Sequence, residues 1–212
     1  MNPEQSAVIE LRQYTLHPGQ REVLIELFER EFIDGQHAAG MAVIGQFRDL
    51  DDENRFVWLR GFTDMPSRAQ SLAAFYDGAL WRAHRNEANA TMVDSDNVLL
   101  LRPARPGSGF AARPAKQSDG RAIAATIYPL ADGAGEAFAA WFFETHGATA
   151  LAAFVTEPSA NNFPRLPVRE GENVFVSLSA MTGDAPPHPP AGLLSAPPQW
   201  LRLAPTACSW LR

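Results

Sequence analysis

The fold is decided by two similar stretches of the chain, Gln13-Tyr14-Thr15-Leu16 and Ile127-Tyr128-Pro129-Leu130, which share a tyrosine and a leucine. Each copy ends a run rich in strand-forming residues. After each copy, large apolar residues recur at three- and four-residue spacing, which predicts an amphipathic helix, and two more strand-like runs follow. A repeat of this kind predicts two copies of one structural unit.

The first half predicts the order strand, helix, strand, strand, helix, strand. The predicted strands are 7–16, 42–50, 55–62 and 97–102, and the predicted helices are 20–32 and 64 to about 92, the second with a pause at Gly78. A polar turn at 51–54 indicates a hairpin between the middle strands. Asp64 and Pro66 suit the start of the second helix, because Asp caps free amides and Pro is tolerated in a first turn.

The second half predicts strands at 121–130, 150–156, 173–179 and 200–205, with a helix at 136–146. Where a second helix would complete the copy, the chain is rich in proline instead, with Pro186, Pro187, Pro189, Pro190, Pro197 and Pro198. Proline lacks an amide donor and clashes inside a helix. The second copy is therefore predicted to have lost or shortened that helix.

These elements predict an α+β protein of two tandem ferredoxin-like repeats. Residues 1–104 would form the first repeat, 105–120 a Pro- and Gly-rich linker, and 121–212 a degenerate second repeat. The helices of such a unit cover one face of its sheet, so the other face needs a partner. We expect the two antiparallel sheets to pack on each other as a pseudo-dimeric α/β barrel.

Composition, charge and missing motifs argue against several classes of function. The net charge of −6 argues against a nucleic-acid partner, and the single cysteine excludes an internal disulfide. The N-terminus lacks a signal-peptide pattern, and no apolar run is long enough to span a bilayer, so a cytoplasmic protein without a membrane partner is expected. Phosphate-loop, nucleophile-elbow and His-Glu-x-x-His motifs are missing, which leaves hydrolase, kinase and nucleotide-cofactor functions unsupported.

Polar side chains collect on one face of the first and third strands. By alternation, Glu10, Arg12 and Tyr14 share a face of the first strand, while Trp58 and Arg60 share a face of the third. The aliphatic faces suit packing against helices, so we expect the polar residues to point into the space between the two sheets. Buried charges of this kind form either a binding site or a salt-bridge network that sets how the sheets pack.

A second group follows in the second helix of the first half. Tyr76 and Trp81 are candidate ligand contacts, and His84 is the histidine best placed for acid–base chemistry, because imidazole titrates near neutral pH. His84 could instead be a half-buried histidine without a chemical role. A metal site formed by His37, His84 and His146 matches no ligand spacing, so no metal is expected.

Several motifs together resemble the NIPSNAP family: Glu10-Leu11-Arg12-x-Tyr14-x-Leu16-x-Pro18-Gly19, Phe56-Val57-Trp58-Leu59-Arg60-Gly61-Phe62, Phe75-Tyr76 and Trp81-x-x-His84-Arg85. The resemblance covers most of residues 7–104 and fades across 121–212. It implies the dimeric α/β-barrel superfamily, whose members include cofactor-free monooxygenases, haem enzymes and small-molecule isomerases. For NIPSNAP proteins themselves it implies no settled activity.

Two functional hypotheses follow. The first is a small-molecule enzyme without a cofactor, an oxygenase or isomerase acting on an aromatic or carbonyl compound. Its ligand contacts would be Arg12, Trp58, Arg60, Tyr76 and Trp81, and its proton-transfer groups Glu10, Tyr14 or His84. The second is a noncatalytic ligand-binding or protein-interaction module. A haem protein with His84 as axial ligand ranks third, and a homodimer through unpaired strand edges stays open.

Overall fold

A computed structural model describes residues 1–111, 121–182 and 188–212. After a short 3₁₀ turn at Pro3–Gln5, the first half forms strands β1 (Val8–Leu16), β2 (Ala42–Asp49), β3 (Arg55–Phe62) and β4 (Met92–Pro103). Its helical layer comprises α1 (Arg21–Leu27), a π-helical turn (Phe28–Phe32), α2 (Ile33–Ala38), α3 (Met65–Tyr76) and α4 (Ala79–Asn89). The predicted element order of the first half is confirmed.

The second half forms strands β5 (Ile123–Pro129), β6 (Ala150–Thr156), β7 (Val174–Ala180) and β8 (Gln199–Pro205), with helix α5 (Gly135–Thr145) after β5. Between β7 and β8, the described residues 181–182 and 188–198 contain no helix. Leu193 and Leu194 instead pack against the core beneath α5, and Leu194 bridges to Leu130. The described part of the proline-rich segment thus packs on the sheet without forming a helix.

The eight strands close into one antiparallel barrel in the order β1-β3-β2-β8-β5-β7-β6-β4. Each half contributes four adjacent strands, and the halves meet twice, where β2 pairs with β8 and where β4 pairs with β6. The predicted fold class of two ferredoxin-like repeats forming a pseudo-dimeric α/β barrel is therefore confirmed. Closure also pairs every described strand with two neighbours, which weighs against a homodimer formed through unpaired strand edges.

The barrel interior is one apolar core shared by both halves. Strands of the first half supply Ile9, Leu11, Val57, Leu59, Leu99 and Leu101, and strands of the second supply Ile123, Ala125, Phe154, Val176, Leu178 and Leu203. A pair of amides joins the halves inside it, since Gln199 donates to Gln13 at 3.0 Å. The predicted boundaries 1–104 and 121–212 therefore delimit two sequence repeats. Because these repeats share one core, the boundaries are not a prediction of two independently folded domains.

The expected orientation of the first-half sheet is wrong. Alternation sorted its side chains correctly into two sets, but the aliphatic set fills the barrel and the polar set faces the helices. Glu10, Arg12, Tyr14, Trp58 and Arg60 therefore lie between the sheet and the helical layer, not between the two sheets. The physical reason is that a closed eight-stranded barrel has a narrow interior filled by side chains, which suits aliphatic groups from both halves.

The described part of the predicted linker packs against the barrel, whereas its composition suggested a segment with few contacts. Phe110 is buried at the edge of the barrel core, with its ring 5.3 Å from that of Phe154 and 6.0 Å from that of Trp210. The amide of Ala153 donates to the carbonyl of Ser108 at 2.7 Å. Residues 105–111 therefore contribute to the fold, whereas 112–120 lie outside the described residues. None of the described helices is both long and apolar enough to cross a membrane.

Candidate functional site

Four charged side chains meet between the first-half sheet and its helices. The Glu10 carboxylate lies at their centre: its Oε2 accepts from Arg12 Nη1 at 2.7 Å and from Arg60 Nε at 2.8 Å, and its Oε1 accepts from Arg68 Nε at 2.7 Å. All four side chains are at most 1% exposed. We call Glu10, Arg12, Arg60 and Arg68 the arginine cluster.

Strand register brings three of these residues together. In the antiparallel pairing of β1 with β3, Glu10 lies directly opposite Arg60, and Arg12 lies opposite Trp58. Opposed residues of an antiparallel pair point to the same face, with their Cβ atoms about 5 Å apart. The fourth residue, Arg68, comes from α3, whose start is fixed by a capping box between Asp64 and Ser67.

Two tyrosines and an amide extend the cluster. Arg12 Nε donates to the Tyr14 hydroxyl at 3.0 Å, while Arg60 Nη1 donates to the Tyr76 hydroxyl at 3.4 Å and to Gln36 Oε1 at 3.3 Å. Both phenol oxygens thus act as acceptors, so their own protons are available to another group. The guanidinium carbon of Arg60 also lies 5.1 Å from the ring centroid of Trp58, within cation–π range.

The cluster carries an excess of buried positive charge. Three guanidinium groups share one carboxylate, and no second acidic side chain in the described part of the chain pairs with them. Arg68 Nη2 and Trp58 Nε1 are buried without a hydrogen-bond partner. Arg60 Nη2 lies 2.7 Å from Glu10 Oε2 without being aligned for a hydrogen bond, so we count that contact as ionic only. Unpaired buried donors are costly, so each calls for an explanation.

Burial and charge set the protonation states here. Burial by itself would raise the pKa of Glu10, but Arg60, Arg12 and Arg68 outweigh it and hold that pKa far below the ordinary value. Burial raises the pKa of Tyr14, against the opposing effect of Arg12. Burial lowers the pKa of Arg68, which Glu10 partly offsets. At neutral pH the cluster therefore contains an ionised Glu10 and a protonated Tyr14.

We expect the stability of the protein to fall as the pH is lowered below about 4.5. A carboxyl whose pKa is depressed by folding contributes fully above its ordinary value of 4.5, and that contribution is lost as pH falls toward the folded value. Urea unfolding between about pH 6 and pH 3 measures this change in free energy. The Glu22→Gln variant removes a mostly exposed carboxylate whose pKa Arg48 also lowers, so it should keep most of the acid dependence; a flat profile in wild type would contradict the prediction.

A segment of the second half covers the cluster. Residues 157–173 connect β6 to β7, and we call them the β6–β7 segment. Arg68 Nη1 donates to Asn161 Oδ1 at 3.1 Å and to Asn162 Oδ1 at 2.7 Å. Phe163 is buried beside Tyr76, with ring centroids 6.1 Å apart. The site in the first half is therefore completed by residues of the second.

Six of the eight predicted site residues meet at this place: Glu10, Arg12, Tyr14, Trp58, Arg60 and Tyr76. Trp81 lies at its border, with its ring 4.8 Å from that of Tyr76. His84 is not brought into it. The polar neighbours of His84 are Glu31 and Glu87, each 3.6 Å away, and its side chain is 26% exposed.

Sequence reasoning missed Arg68 and the β6–β7 segment. Arg68 did leave a signal, because it shares the buried face of α3 with Leu72 and Phe75 at helical spacing. A charged residue on an otherwise apolar helical face is seldom buried without a partner. Asn161 and Asn162 left no comparable signal, because their role depends on contacts more than 90 residues away in the chain.

The corresponding place in the second half is uncharged. Register between β5 and β7 puts Ala124, Thr126 and Ser179 where the first half has Glu10, Arg12 and Arg60. Tyr128 occupies the position of Tyr14, and burial raises its pKa to about 12. The structure thus holds a single charged cluster of this type among the described residues. Those residues also contain no group of three or more side chains suited to bind a metal.

An eight-stranded antiparallel barrel formed by two ferredoxin-like halves is the dimeric α/β-barrel fold, realised here within one chain. Residues 9–106 match the model of the NIPSNAP family. This part of the chain is therefore similar to the NIPSNAP family, as its motifs indicated. No curated protein matches the chain.

Two solved structures agree on the fold over most of the chain. A candidate monooxygenase from Lactobacillus acidophilus aligns over 97% of both chains with 14% identity and a TM-score of 0.61. A second candidate monooxygenase, from Fusobacterium nucleatum, covers 93% of this chain and 91% of its own, with 8% identity and a TM-score of 0.60. An uncharacterised NIPSNAP-like protein from Burkholderia xenovorans is 28% identical over 50% of this chain and 90% of its own, with a TM-score of 0.44.

Proposed function

We propose that this protein binds a small molecule through an anionic or carbonyl oxygen at the arginine cluster. One observation carries the proposal. Three buried guanidinium groups share a single carboxylate, and Arg68 Nη2 has no partner at all. A ligand oxygen placed there would satisfy a buried donor and balance buried charge, each of which is unfavourable if left alone.

The chemistry of the site favours an acceptor as the ligand group. Guanidinium and indole nitrogens only donate hydrogen bonds, and both nearby phenols already accept one from an arginine. The groups free to contact a ligand are therefore donors. A carboxylate, an enolate or a polarised carbonyl meets that requirement, whereas a cationic ligand does not.

The side chains packed around the donors are aromatic, which favours an aromatic or flat carbonyl compound as the ligand. Tyr14 and Trp58 pack edge to face at 5.9 Å between centroids, and Phe163 closes over Tyr76. Ligand sites are commonly apolar with a few polar groups that fix orientation. This arrangement suits a planar ring or chain that carries one oxygen anion.

Within this proposal, the catalytic version is a cofactor-independent oxygenase or isomerase. Guanidinium groups would bind a substrate that has already lost its proton to solvent, as an enolate or a phenolate. In an isomerase, Tyr14 would return a proton to the substrate and be reprotonated from solvent; in an oxygenase, molecular oxygen would be the oxidant. The strongly depressed pKa of Glu10 suits a fixed counter-ion that orients the arginines better than it suits a base. Two structural neighbours that align over more than 90% of this chain are candidate monooxygenases, which is in keeping with this version.

The alternative is a noncatalytic ligand-binding or interaction module in which the cluster serves the fold. Its specific support is that Glu10 accepts from all three arginines at once, an arrangement that also fixes α3 onto the sheet. Structural ion-pair networks can imitate active sites. The two versions differ in whether an anion stabilises the protein.

We expect benzoate to raise the melting temperature of the wild-type protein, whereas benzamide, with the same ring and no charge, does so far less. A ligand at 100 times its Kd stabilises the folded state by about 2.7 kcal/mol. In the Arg68→Met variant, which keeps the apolar stem and removes the unpaired donor, the benzoate effect should disappear. Differential scanning fluorimetry with benzoate, benzamide, acetate and inorganic phosphate measures this.

The matched control is Arg202→Met, which removes an exposed arginine paired with Asp51. It should retain the full benzoate response. If Arg68→Met responds to benzoate as wild type does, or if no tested anion stabilises the wild-type protein, the binding proposal is wrong and the structural version is favoured.

A further inference from the structure

The β6–β7 segment belongs to the second half by sequence but lies over the first-half cluster. Its two ends are fixed on β4, where the Glu157 amide donates to the Leu100 carbonyl and the Arg169 amide to the Val98 carbonyl, each at 2.9 Å. Between these ends the chain crosses to α3. Such a loop, with fixed ends and a tip resting on another element, has the geometry of an active-site lid.

The tip is held by a few polar contacts. Asn162 Nδ2 donates to the Met65 carbonyl at 2.6 Å, and Arg165 pairs with Asp77 at 2.8 Å. Both partners of that ion pair are more than half exposed, and exposed pairs contribute little to stability. Phe163 and the partly buried Leu166 anchor the tip in the apolar layer. Opening the tip therefore breaks one exposed ion pair, a few hydrogen bonds that include those from Arg68, and the apolar contacts of two side chains.

We propose that the β6–β7 segment is a lid over the arginine cluster. Asn161 and Asn162 accept from Arg68 Nη1, one of the two nitrogens that a bidentate carboxylate would take together with the unpaired Nη2. This inference rests on the proposed function of the cluster. Arginine only donates, so both asparagines must present their amide oxygens to it, as a ligand carbonyl or carboxylate would. A carboxylate is the stronger acceptor for guanidinium, so it can displace two neutral amides.

The lid also gives the second half a role. Its own version of the site has lost the charges, with Ala124, Thr126 and Ser179 in the places of Glu10, Arg12 and Arg60. What it retains is barrel closure and the β6–β7 segment. The first half thus supplies the binding groups, and the second half supplies the segment that covers them. Because the asparagines are uncharged, they select for ligands that bind Arg68 more strongly than an amide oxygen does.

Hydrogen exchange tests the lid without any ligand. Within the segment the Leu166 amide donates to the Phe163 carbonyl, and the Phe163 amide donates to Asn161 Oδ1, which Arg68 also holds in place. We expect these amides to exchange by local opening at a rate that low denaturant leaves unchanged, while β1 and β3 amides exchange through global unfolding. If the segment exchanges only together with β1 and β3, it is not a lid.

Benzoate binding tests the competition. The double variant Asn161→Ala/Asn162→Ala should bind benzoate about threefold tighter or more, because the closed form no longer competes for Arg68. Ser159→Ala, in the same segment and bonded only to Glu157, should leave the affinity unchanged. Weaker or equal binding by the double variant would overturn the proposed competition. If the wild type binds no benzoate while the segment still opens locally, the proposed function fails and the lid geometry stands.

Discussion

Replacing Glu10 with glutamine should lower the free energy of unfolding by about 3–5 kcal/mol, because it removes the one carboxylate that, among the described residues, pairs with the three buried guanidinium groups. Glutamine keeps the shape of the side chain, so the change isolates charge from packing. Arg12, Arg60 and Arg68 would then repel one another in a space from which water is excluded. Urea unfolding followed by circular dichroism measures the loss.

The Glu22→Gln variant is the matched control. Glu22 is paired with Arg48 at 2.6 Å, but its side chain is 54% exposed, so its loss should change stability by less than about 1 kcal/mol. Equal effects of the two substitutions would show that the charges of the arginine cluster are solvated, and the argument for an anion site would lose its basis.

Replacing Phe154 with alanine should cost about 3–5 kcal/mol and should unfold both halves in one transition. Phe154 belongs to the second half, yet it is fully buried in the core that Ile9, Leu11 and Leu59 share with it. Because the barrel has one core, loss of packing on one side must reach the other. Tryptophan fluorescence and far-ultraviolet circular dichroism should therefore give the same midpoint.

Leu151 provides the control for this prediction. It lies in the same strand, β6, with 37% of its surface exposed, so Leu151→Ala should change stability by no more than about 0.5 kcal/mol. Two separate transitions in the Phe154→Ala variant would mean that the repeats fold independently, which the shared core does not allow.

Much of the fold could be predicted because local signals agreed with it. Alternation in β1 and β3, the helical spacing after each repeated stretch and the Asp64 cap each depend on residues near one another in sequence. The repeat then supplied the long-range step, since a sheet with one uncovered face needs a second sheet. Element bounds differ from the predicted ones by a few residues, with β4 beginning earlier, at Met92.

The direction of the polar face could not be obtained in this way. Alternation states which side chains share a face, but not which layer covers that face. Charged residues were placed between the sheets because the helices were expected to take the aliphatic side. In fact α3 brings Arg68 to Glu10, so the helical layer supplies the polar partner that the barrel interior lacks.

The site residues on the strands could be predicted from the sequence, whereas Arg68 and the segment that covers the site could not. Glu10, Arg12, Trp58 and Arg60 could be grouped from strand register alone. The contact of Arg68 with Glu10 spans 58 positions, and its contacts with the asparagines span more than 90. Loop residues at that separation carry no periodic pattern, so only the folded chain brings them to the site.

The most direct test of the anion site is a structure of the protein from crystals grown with benzoate. We predict that a carboxylate oxygen lies within hydrogen-bond distance of Arg68 Nη2, beneath the β6–β7 segment, with Asn161 and Asn162 moved off the guanidinium. Benzoate bound elsewhere, or a cluster unchanged at saturating benzoate with both asparagines still on Arg68, would contradict the account.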